Sequence, residues 1–228
     1  MKSLPPEFFQ RQDERPDELF YAEPRQASHL DEAADRVVSG WYRELLPDGG
    51  VVLDLLAGAV SHLPAGVSEV VGVGLDADAL ARNSALTERH LLDLNLDPRL
   101  PLPDASLDGV VCTVSVQYLT RPVEVFAEVA RCLKPGAPFL VAFSNRMFPT
   151  KAVLCWRASD DAAHGRLVRC YFEAAGGFGP IDVRSHVPEG DGDPLYLFWA
   201  PAEPPNGGQP RAAGGEDDPA SVTAGASG

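Results

Sequence analysis

The fold is indicated first by residues 51–61, which read VVLDLLAGAVS. Residues 51–55 form an apolar run of strand length interrupted only by Asp54, and Gly58 follows four residues after that carboxylate. A continuous apolar run, rather than an alternating one, is typical of a strand that is buried on both faces of a parallel sheet. In such sheets ligands bind beyond the carboxyl ends of the strands, so Asp54 and Gly58 mark a candidate ligand site.

The rest of the chain repeats this strand pattern, with helical segments in between. Further apolar runs of strand length lie at residues 69–73, 90–94, 109–114 and 138–143. Helix-like spacing of apolar residues occurs at residues 30–45, 78–82, 122–133 and 165–175. Two last strand-like stretches, 181–186 and 195–199, are joined by so short a connection that they must pair antiparallel. The sequence therefore predicts an α/β fold, a doubly wound Rossmann-like sheet of five parallel strands plus a C-terminal antiparallel hairpin.

Composition excludes several classes of function. The 228 residues carry 19 basic and 33 acidic side chains, a formal charge of −14, which argues against a protein that binds nucleic acid or an anionic membrane. No apolar stretch reaches the roughly 18 residues of a membrane span. The four cysteines include no CxxC pair, so we expect no metal site, and reduced thiols in a cytoplasmic protein.

The chain divides by composition into three parts, at residues 1–47, 48–200 and 201–228. The first is a polar, proline-punctuated arm followed by a helix, and we expect it to form a lid or cap. Phe20, Tyr21 and Arg25 would lie over the site, or else the arm would simply pack on the core. The last part is rich in glycine and proline and almost free of branched apolar residues, so it is predicted to be a disordered tail.

The residues around Asp54 do not suit a dinucleotide. A pyrophosphate site of that kind places G-x-G-x-x-G directly after the first strand, where backbone amides approach the phosphates. Here a carboxylate and a single Gly58 occupy that place. A carboxylate favours a ligand that carries a positive charge or hydrogen-bond donors.

Three segments, in order along the chain, resemble one enzyme family. Residues 54–58 are similar to its first motif, residues 100–108 (LPLPDASLD) to the run that leads into its fourth strand, and residues 133–137 (LKPGA) to the run before its fifth. The sequence thus resembles the class I S-adenosylmethionine-dependent methyltransferases of the type 11 group. The resemblance implies that residues 48–200 are a methyltransferase domain and that S-adenosylmethionine is its cofactor.

The first motif departs from the family at two glycines. The resemblance implies that Asp54 and Gly58 bind the cofactor, but Leu56 and Val60 stand where the family has its other glycines. Glycine permits a close approach of the backbone to a ligand. We therefore expect Leu56 and Val60 to narrow the groove for the methionine half of the cofactor. Residues 61–64 and 145–151 are nevertheless similar to runs found in glycine-poor relatives.

The acids that follow the second and third strands are the other candidates for cofactor binding. In the family an acid at the end of strand two holds the ribose hydroxyls, but Gly74 stands at that place here. Asp76 is therefore the candidate to bind the ribose hydroxyls, and Asp78 is a second carboxylate close by in the sequence. Asp93 matches the acid that contacts the adenine ring.

The acceptor side is predicted from the ends of strands four and five. The resemblance places Tyr118 beside the transferred methyl, where it would act as a catalytic residue through cation–π attraction or proton transfer. Asn145 and Arg146 follow strand five and are the candidate substrate-binding residues. His62 lies close to the predicted cofactor loop and would contact the cofactor's carboxylate, or else would have no role in the site.

A local excess of positive charge suggests an anionic small-molecule acceptor. Residues 119–170 hold four acidic and eight basic side chains, the basic ones being Arg121, Arg131, Lys134, Arg146, Lys151, Arg157, Arg166 and Arg169. The predicted function is therefore methyl transfer from S-adenosylmethionine to a small acceptor. The alternatives are a non-catalytic binding or scaffold domain with a degenerate cofactor loop and, less favoured by Asp54, a nucleotide-dependent oxidoreductase.

Overall fold

The computed structural model describes residues 5–21 and 30–204. Its seven strands are β1 Val51–Leu55, β2 Glu69–Gly74, β3 Glu88–Leu91, β4 Gly109–Thr113, β5 Pro138–Phe143, β6 Asp182–His186 and β7 Leu195–Pro201. Its α-helices are α1 Asp17–Tyr21, α2 Glu32–Leu45, α3 Ala77–Arg82, α4 Pro122–Cys132, α5 Leu154–Arg157 and α6 Asp161–Ala175. Short 3-10 turns cover Pro6–Phe9 and Val116–Tyr118. The predicted tail, apart from its first four residues, and Arg25 lie outside the described residues.

The strands form one sheet in the order β3-β2-β1-β4-β5-β7-β6. The first five strands are parallel, and β7 pairs antiparallel with both β5 and β6. The predicted doubly wound sheet with its C-terminal antiparallel hairpin is thus confirmed. Because β1 lies between β2 and β4, the strand order reverses at this point, which is where open α/β sheets bind ligands.

The third strand is the one whose predicted position is wrong. It covers Glu88–Leu91 rather than residues 90–94. The chain turns at Asp93, whose Oδ1 accepts a hydrogen bond from the backbone N–H of Asn95 at 2.9 Å. An Asp that bonds the backbone two residues on forms a turn. Leu94 is buried all the same, so its apolar character reflects core packing and not strand pairing.

Helix α2 covers one face of the sheet. Asp31 begins it by accepting a hydrogen bond from the Ala34 N–H at 2.8 Å, a typical N-cap. Val38 and Tyr42 are fully buried in the cluster that joins this helix to β1, β4, β5 and β7. The Tyr42 hydroxyl also hydrogen-bonds Thr113 Oγ1 at 2.8 Å, which ties the helix to the end of β4.

The opposite face of the sheet holds the larger core, which is rich in aromatic side chains. Phe126 of α4 packs edge-on against Phe139 of β5 and Phe172 of α6, with ring centroids 4.8 and 4.9 Å apart. Gly165 lies inside α6 where a Cβ atom would come within 2.7 Å of the Phe198 ring. This close approach explains the glycine within the helix. The helix begins at Asp161, before the predicted start at Gly165, because the Asp160 side chain caps it by accepting a hydrogen bond from the Ala163 N–H at 2.8 Å.

The N-terminal arm, residues 5–21, is fixed to the domain by buried charges. Lys151 is almost completely buried, and its Nζ lies 2.9 Å from Asp17 Oδ1 and 2.8 Å from the Arg15 carbonyl oxygen. Arg11 donates from Nη1 to both carboxylate oxygens of Asp17, at 2.8 and 2.7 Å. Burial alone would raise the pKa of Asp17, but these two cations hold it below its usual range. Asp17 therefore remains ionised although it is only 4% exposed.

None of the described helices is long and apolar enough to cross a bilayer. Within residues 5–21 and 30–204, no three side chains of His, Cys, Asp or Glu cluster as metal ligands would.

Replacing Lys151 by Met should destabilise the protein by about 3 kcal/mol, because it removes one of the two cations that compensate the buried carboxylate of Asp17. Urea unfolding measures this difference. Lys134→Met is the matched control, since Lys134 makes a partly exposed ion pair with Asp108 and its loss should cost no more than about 1 kcal/mol. Equal losses in the two variants would contradict a role for the buried pair.

Candidate active site

A cavity of about 160 Å³ opens at the carboxyl ends of β1, β2 and β4. This is the point at which the strand order reverses. The cavity brings together most of the residues that the sequence singled out near the predicted cofactor loop. Its lining includes Asp54, Leu56, Gly58, Val60, His62, Asp76 and Tyr118.

Asp54 lies on the floor of the cavity at the end of β1. It is only 5% exposed, and its Oδ2 accepts a hydrogen bond from the Ser61 hydroxyl at 2.5 Å. Asn83 donates from Nδ2 to Ser61 Oγ and to the Gly58 carbonyl oxygen, both at 2.9 Å. Burial raises the pKa of Asp54 to about 6. The carboxylate is thus ionised at neutral pH but has no cationic partner within hydrogen-bond distance among the described residues.

The two residues that replace glycines both line the cavity. Leu56 has φ of 60°, a left-handed conformation that costs a non-glycine residue about 1 kcal/mol. Its side chain packs against the main core, which compensates part of that cost. Val60 is 44% exposed at the cavity wall. Val114, at the exit of β4, also has a positive φ, 51°, so the backbone is strained at two strand exits that border the cavity.

Gly74, which stands where the family has an acid, cannot accommodate a side chain. A Cβ atom there would lie 2.4 Å from the Ala57 carbonyl oxygen. Asp76 lines the cavity two residues later and begins α3, where its Oδ1 accepts a hydrogen bond from the Ala79 N–H at 2.9 Å. Asp78 is exposed and does not line the cavity.

Asp93 does not line this cavity but a second depression beside it, between the N-terminal arm and the turn after β3. Asp17 and Asn95 line both spaces, and Asn95 Nδ2 donates to Asp17 Oδ2 at 3.2 Å. This hydrogen bond separates Asp93 from the first cavity. Asn95 also accepts from the Thr120 N–H and donates to the Tyr118 carbonyl oxygen, so its side chain is held firmly.

Tyr118 lines the cavity with its ring stacked on Phe148, the ring centroids 5.9 Å apart. Its hydroxyl oxygen accepts a hydrogen bond from the Phe148 N–H at 2.8 Å, and burial raises its pKa to about 12. Phe20 of the arm also packs edge-on against Phe148, with the ring centroids 5.4 Å apart. The Tyr21 side chain lies outside the part of the chain that the structure describes. The arm thus contacts the aromatic wall of the site through Phe20.

Asn145 and Arg146 lie outside the lining of the cavity. Asn145 is exposed, and Arg146 Nε donates to Asp193 Oδ1 at 2.6 Å. Asp193 in turn accepts from the Asp31 N–H at the start of α2. In this arrangement Arg146 connects the loop after β5 to that helix, and its predicted contact with a substrate stays a prediction.

The predicted basic excess does not face the cavity. None of the eight basic residues between 119 and 170 lines it. Arg131 bonds Glu128 and Asp104, and Lys151 is buried under the arm. The charged side chains of the lining are those of three acidic residues, Asp17, Asp54 and Asp76, and one basic residue, Arg82.

Sequence reasoning missed Asp17 and Asn95, and it counted Lys151 in the basic excess that suggests an anionic acceptor. Asp17 lies in a polar segment with no periodic pattern, so nothing in the sequence marks it as buried. A Lys next to proline and threonine likewise looks like a solvated cation. The one available signal was that Asn95 follows Asp93 by two residues in a segment already singled out.

Comparison with known proteins accords with this geometry. Residues 49–141, which contain β1 to β5 and the cavity floor, match the family model of a methyltransferase domain. Residues 49–141 are therefore similar to the methyltransferase domains of the type 11 group, and the cofactor that this similarity supports is S-adenosylmethionine.

Three relatives illustrate the extent of the likeness. The chain is 28% identical over 128 residues to a malonyl-[acyl-carrier protein] O-methyltransferase of Marinomonas sp., covering 52% of this chain and 47% of that protein. It is 35% identical over 78 residues to a probable S-adenosylmethionine-dependent methyltransferase of Mycolicibacterium smegmatis, covering 34% and 30%. The chain thus spans less than half the length of these curated relatives. A solved S-adenosylmethionine-dependent methyltransferase of Thermotoga maritima, 16% identical, shares the fold with a TM-score of 0.55 over 74% of this chain and 88% of that one.

The charge of the cavity fits that of S-adenosylmethionine. The cofactor carries a sulfonium and an ammonium, and Asp54 offers a buried carboxylate whose oxygens bond only the Ser61 hydroxyl among the described residues. Asp76 has one carboxylate oxygen left after capping α3. Space beside Gly58 is open, since a Cβ atom there would meet nothing within 4 Å.

Gly74→Ala should destabilise the protein by about 1–3 kcal/mol, because the added methyl group overlaps the Ala57 carbonyl oxygen. Gly58→Ala is the matched control, with open space around the new Cβ atom and an expected change within about 0.5 kcal/mol. Thermal unfolding of the two variants checks the difference. Similar stabilities would show that Gly74 is not required by packing.

Leu56→Gly should be more stable than Leu56→Ala by about 1 kcal/mol, although glycine usually destabilises relative to alanine. Both variants lose the leucine packing, so their difference isolates the cost of the left-handed backbone at this position. Urea unfolding of both proteins measures that difference. The opposite order would mean that the loop relaxes out of the left-handed conformation.

Proposed function

We propose that this methyltransferase transfers a methyl group from S-adenosylmethionine to a small-molecule acceptor that binds at the same cavity. The observation that carries the proposal is Asp54, a buried carboxylate at the point where the strand order reverses, with no cation within hydrogen-bond distance among the described residues. A carboxylate in that position stabilises a ligand cation most effectively, because water screens it little.

Three acids would hold the cofactor. Asp54 would accept hydrogen bonds from the ammonium, beside the open space at Gly58. The free carboxylate oxygen of Asp76 would accept hydrogen bonds from the ribose hydroxyls. Asp93 remains the predicted contact for adenine, and in the described arrangement it lies beyond the hydrogen bond between Asn95 and Asp17.

The protein's own contribution is mainly positioning. When bound, S-adenosylmethionine supplies an electrophilic methyl carbon, to which an acceptor lone pair forms the new bond while the carbon–sulfur pair stays on sulfur. Tyr118 and Phe148 form an apolar, aromatic wall beside that region and exclude water from it. Because burial raises its pKa to about 12, the Tyr118 hydroxyl keeps its proton at neutral pH and can donate it in a hydrogen bond to an acceptor atom. Tyr118 is therefore proposed to orient an acceptor atom and not to remove a proton from it.

A second function is favoured by Leu56 and Val60, which stand in place of two glycines and line the cavity. On that reading the domain keeps the fold as a non-catalytic binding or scaffold module. The two functions differ in whether the cavity takes up the cofactor, and titration of the ligand decides between them.

Isothermal titration with S-adenosylhomocysteine and S-adenosylmethionine tests the proposal, with an expected Kd on the order of micromolar for the wild-type protein. Asp54→Asn should weaken binding at least tenfold, because the amide cannot neutralise the ligand cation. Asp78→Asn is the control, since Asp78 is exposed and outside the lining, and its affinity should be unchanged. Absence of binding by the wild-type protein would favour the scaffold function.

The same titration should depend on pH. Because the pKa of Asp54 is about 6 in the free protein, its carboxyl is mostly protonated below that pH, and a cationic ligand must first displace the proton. Affinity should therefore fall as the pH decreases through about 6 and level off above it. Asp54→Asn should bind weakly with no inflection near that pH. An inflection that persists in this variant would assign the titration to another group.

A further inference from the structure

His62 lines the cavity and forms a pair with a carboxylate from another element. Its Nδ1 is in hydrogen-bond contact with Oδ1 of Asp35, which lies in the first turn of α2. The His62 side chain is 12% exposed and that of Asp35 is 43% exposed. In a neutral histidine ring, a carboxylate that accepts from one nitrogen fixes the proton on that nitrogen and leaves a lone pair on the other. Nε2 of His62 is thus the nitrogen with an available lone pair.

Both partners are held in place from independent directions. The loop that carries His62 is fixed by the bond from Ser61 to Asp54 and by Asn83. Helix α2 is fixed at its start by Asp31, which exchanges hydrogen bonds with Asp193, and further along by the bond between Tyr42 and Thr113. The contact between His62 and Asp35 is therefore a consequence of how the loop and the helix pack, not of local sequence.

The other titratable groups of the cavity are poor proton acceptors. Asp17 is paired with two cations that lower its pKa. Tyr118 already accepts a hydrogen bond and has its pKa raised to about 12. Asp54 is the partner for the ligand cation, and Asp76 caps α3. A general base at neutral pH needs a free lone pair within the cavity, and His62 has one.

We propose that His62 is the general base of this methyltransferase and that Asp35 is its positioning residue, an inference that rests on the proposed function. Nε2 takes the proton of an acceptor O–H or N–H group while a lone pair of the acceptor oxygen or nitrogen forms the bond to the methyl carbon. The carboxylate of Asp35 stabilises the imidazolium that forms. The imidazolium then returns its proton to water, which restores the starting state.

The pair also defines the class of acceptor. A carboxylate acceptor has no proton to lose and gains nothing from a base, whereas a hydroxyl or an ammonium must be deprotonated. The lining holds three carboxylates and only one positively charged side chain, that of Arg82, so its excess of negative charge also disfavours an anionic acceptor. The acceptor is accordingly a neutral or cationic small molecule with an O–H or N–H group, not the anionic one that the basic residues suggested.

The tautomer of His62 is the first test, and it needs no acceptor. Long-range proton–nitrogen NMR spectra of ¹⁵N-labelled protein, assigned with His62→Gln, should show Nδ1 protonated and Nε2 unprotonated when the ring is neutral. Asp35→Asn should disturb this preference. His90→Gln is the control, because His90 pairs with Glu88 on β3 outside the cavity and should leave the His62 signals unchanged. A neutral ring protonated at Nε2 in the wild-type protein would overturn the proposal.

Ligand binding and turnover form the second test. Both His62→Gln and Asp35→Asn should bind S-adenosylhomocysteine as the wild-type protein does, within about twofold, because a general base acts on the acceptor and not on the cofactor. Release of S-adenosylhomocysteine is then measured with phenols, amines and carboxylic acids as probe acceptors. Phenols or amines should react, and His62→Gln should lower their rate by about 10²–10⁴-fold.

The possible outcomes separate the two proposals. Failure of the wild-type protein to bind S-adenosylhomocysteine overturns the proposed function and with it the base. If His62→Gln loses binding of S-adenosylhomocysteine as Asp54→Asn does, His62 is a cofactor ligand. That result overturns the proposal of a general base but not the proposed function. Turnover of carboxylic acids alone, retained in His62→Gln, also overturns the general base. If none of the probes reacts, the tautomer measurement decides.

Discussion

The parallel pairing of β1 with β2 on one side and β4 on the other is the constraint on which the site depends. Parallel strands present their carboxyl ends at one edge, so the loops that leave β1, β2 and β4 must meet there. The chain reverses its direction of winding at β1, which leaves a gap between those loops. Asp54 lies at the bottom of this gap because it is the fourth residue of a strand whose last four residues are buried.

The loop after β1 shows how a site of this type can be built with few glycines. Leu56 adopts a left-handed backbone conformation that glycine would take without strain, and core packing of its side chain offsets part of the cost. Ser61 and Asn83 then hold the loop by side-chain hydrogen bonds, which glycine residues cannot make. The missing glycine flexibility is replaced by side-chain contacts, and the same contacts fix the position of His62.

The basic side chains of this protein have two separate roles. The basic residues between 119 and 170 serve mostly as partners for nearby acids and carbonyl oxygens, so their excess has little influence on the cavity. Lys151 and Arg11 instead enclose Asp17 and attach the arm over the site. Net charge along a sequence is therefore a weak guide to the field inside a cavity, since ion pairing depends on which elements pack together.

The sequence by itself determined the α/β class, the five parallel strands and the place of Asp54, because continuous apolar runs and their spacing are local properties of the chain. It predicted Gly58, Asp76 and Tyr118 near the cavity because strand ends share an edge. Only the tertiary structure decided that Asp93 and Arg146 lie outside it, and that Asp35 meets His62 across 27 residues of sequence. Such pairs form when a helix packs on a sheet, and no local pattern records which surface residue of the helix will face which loop.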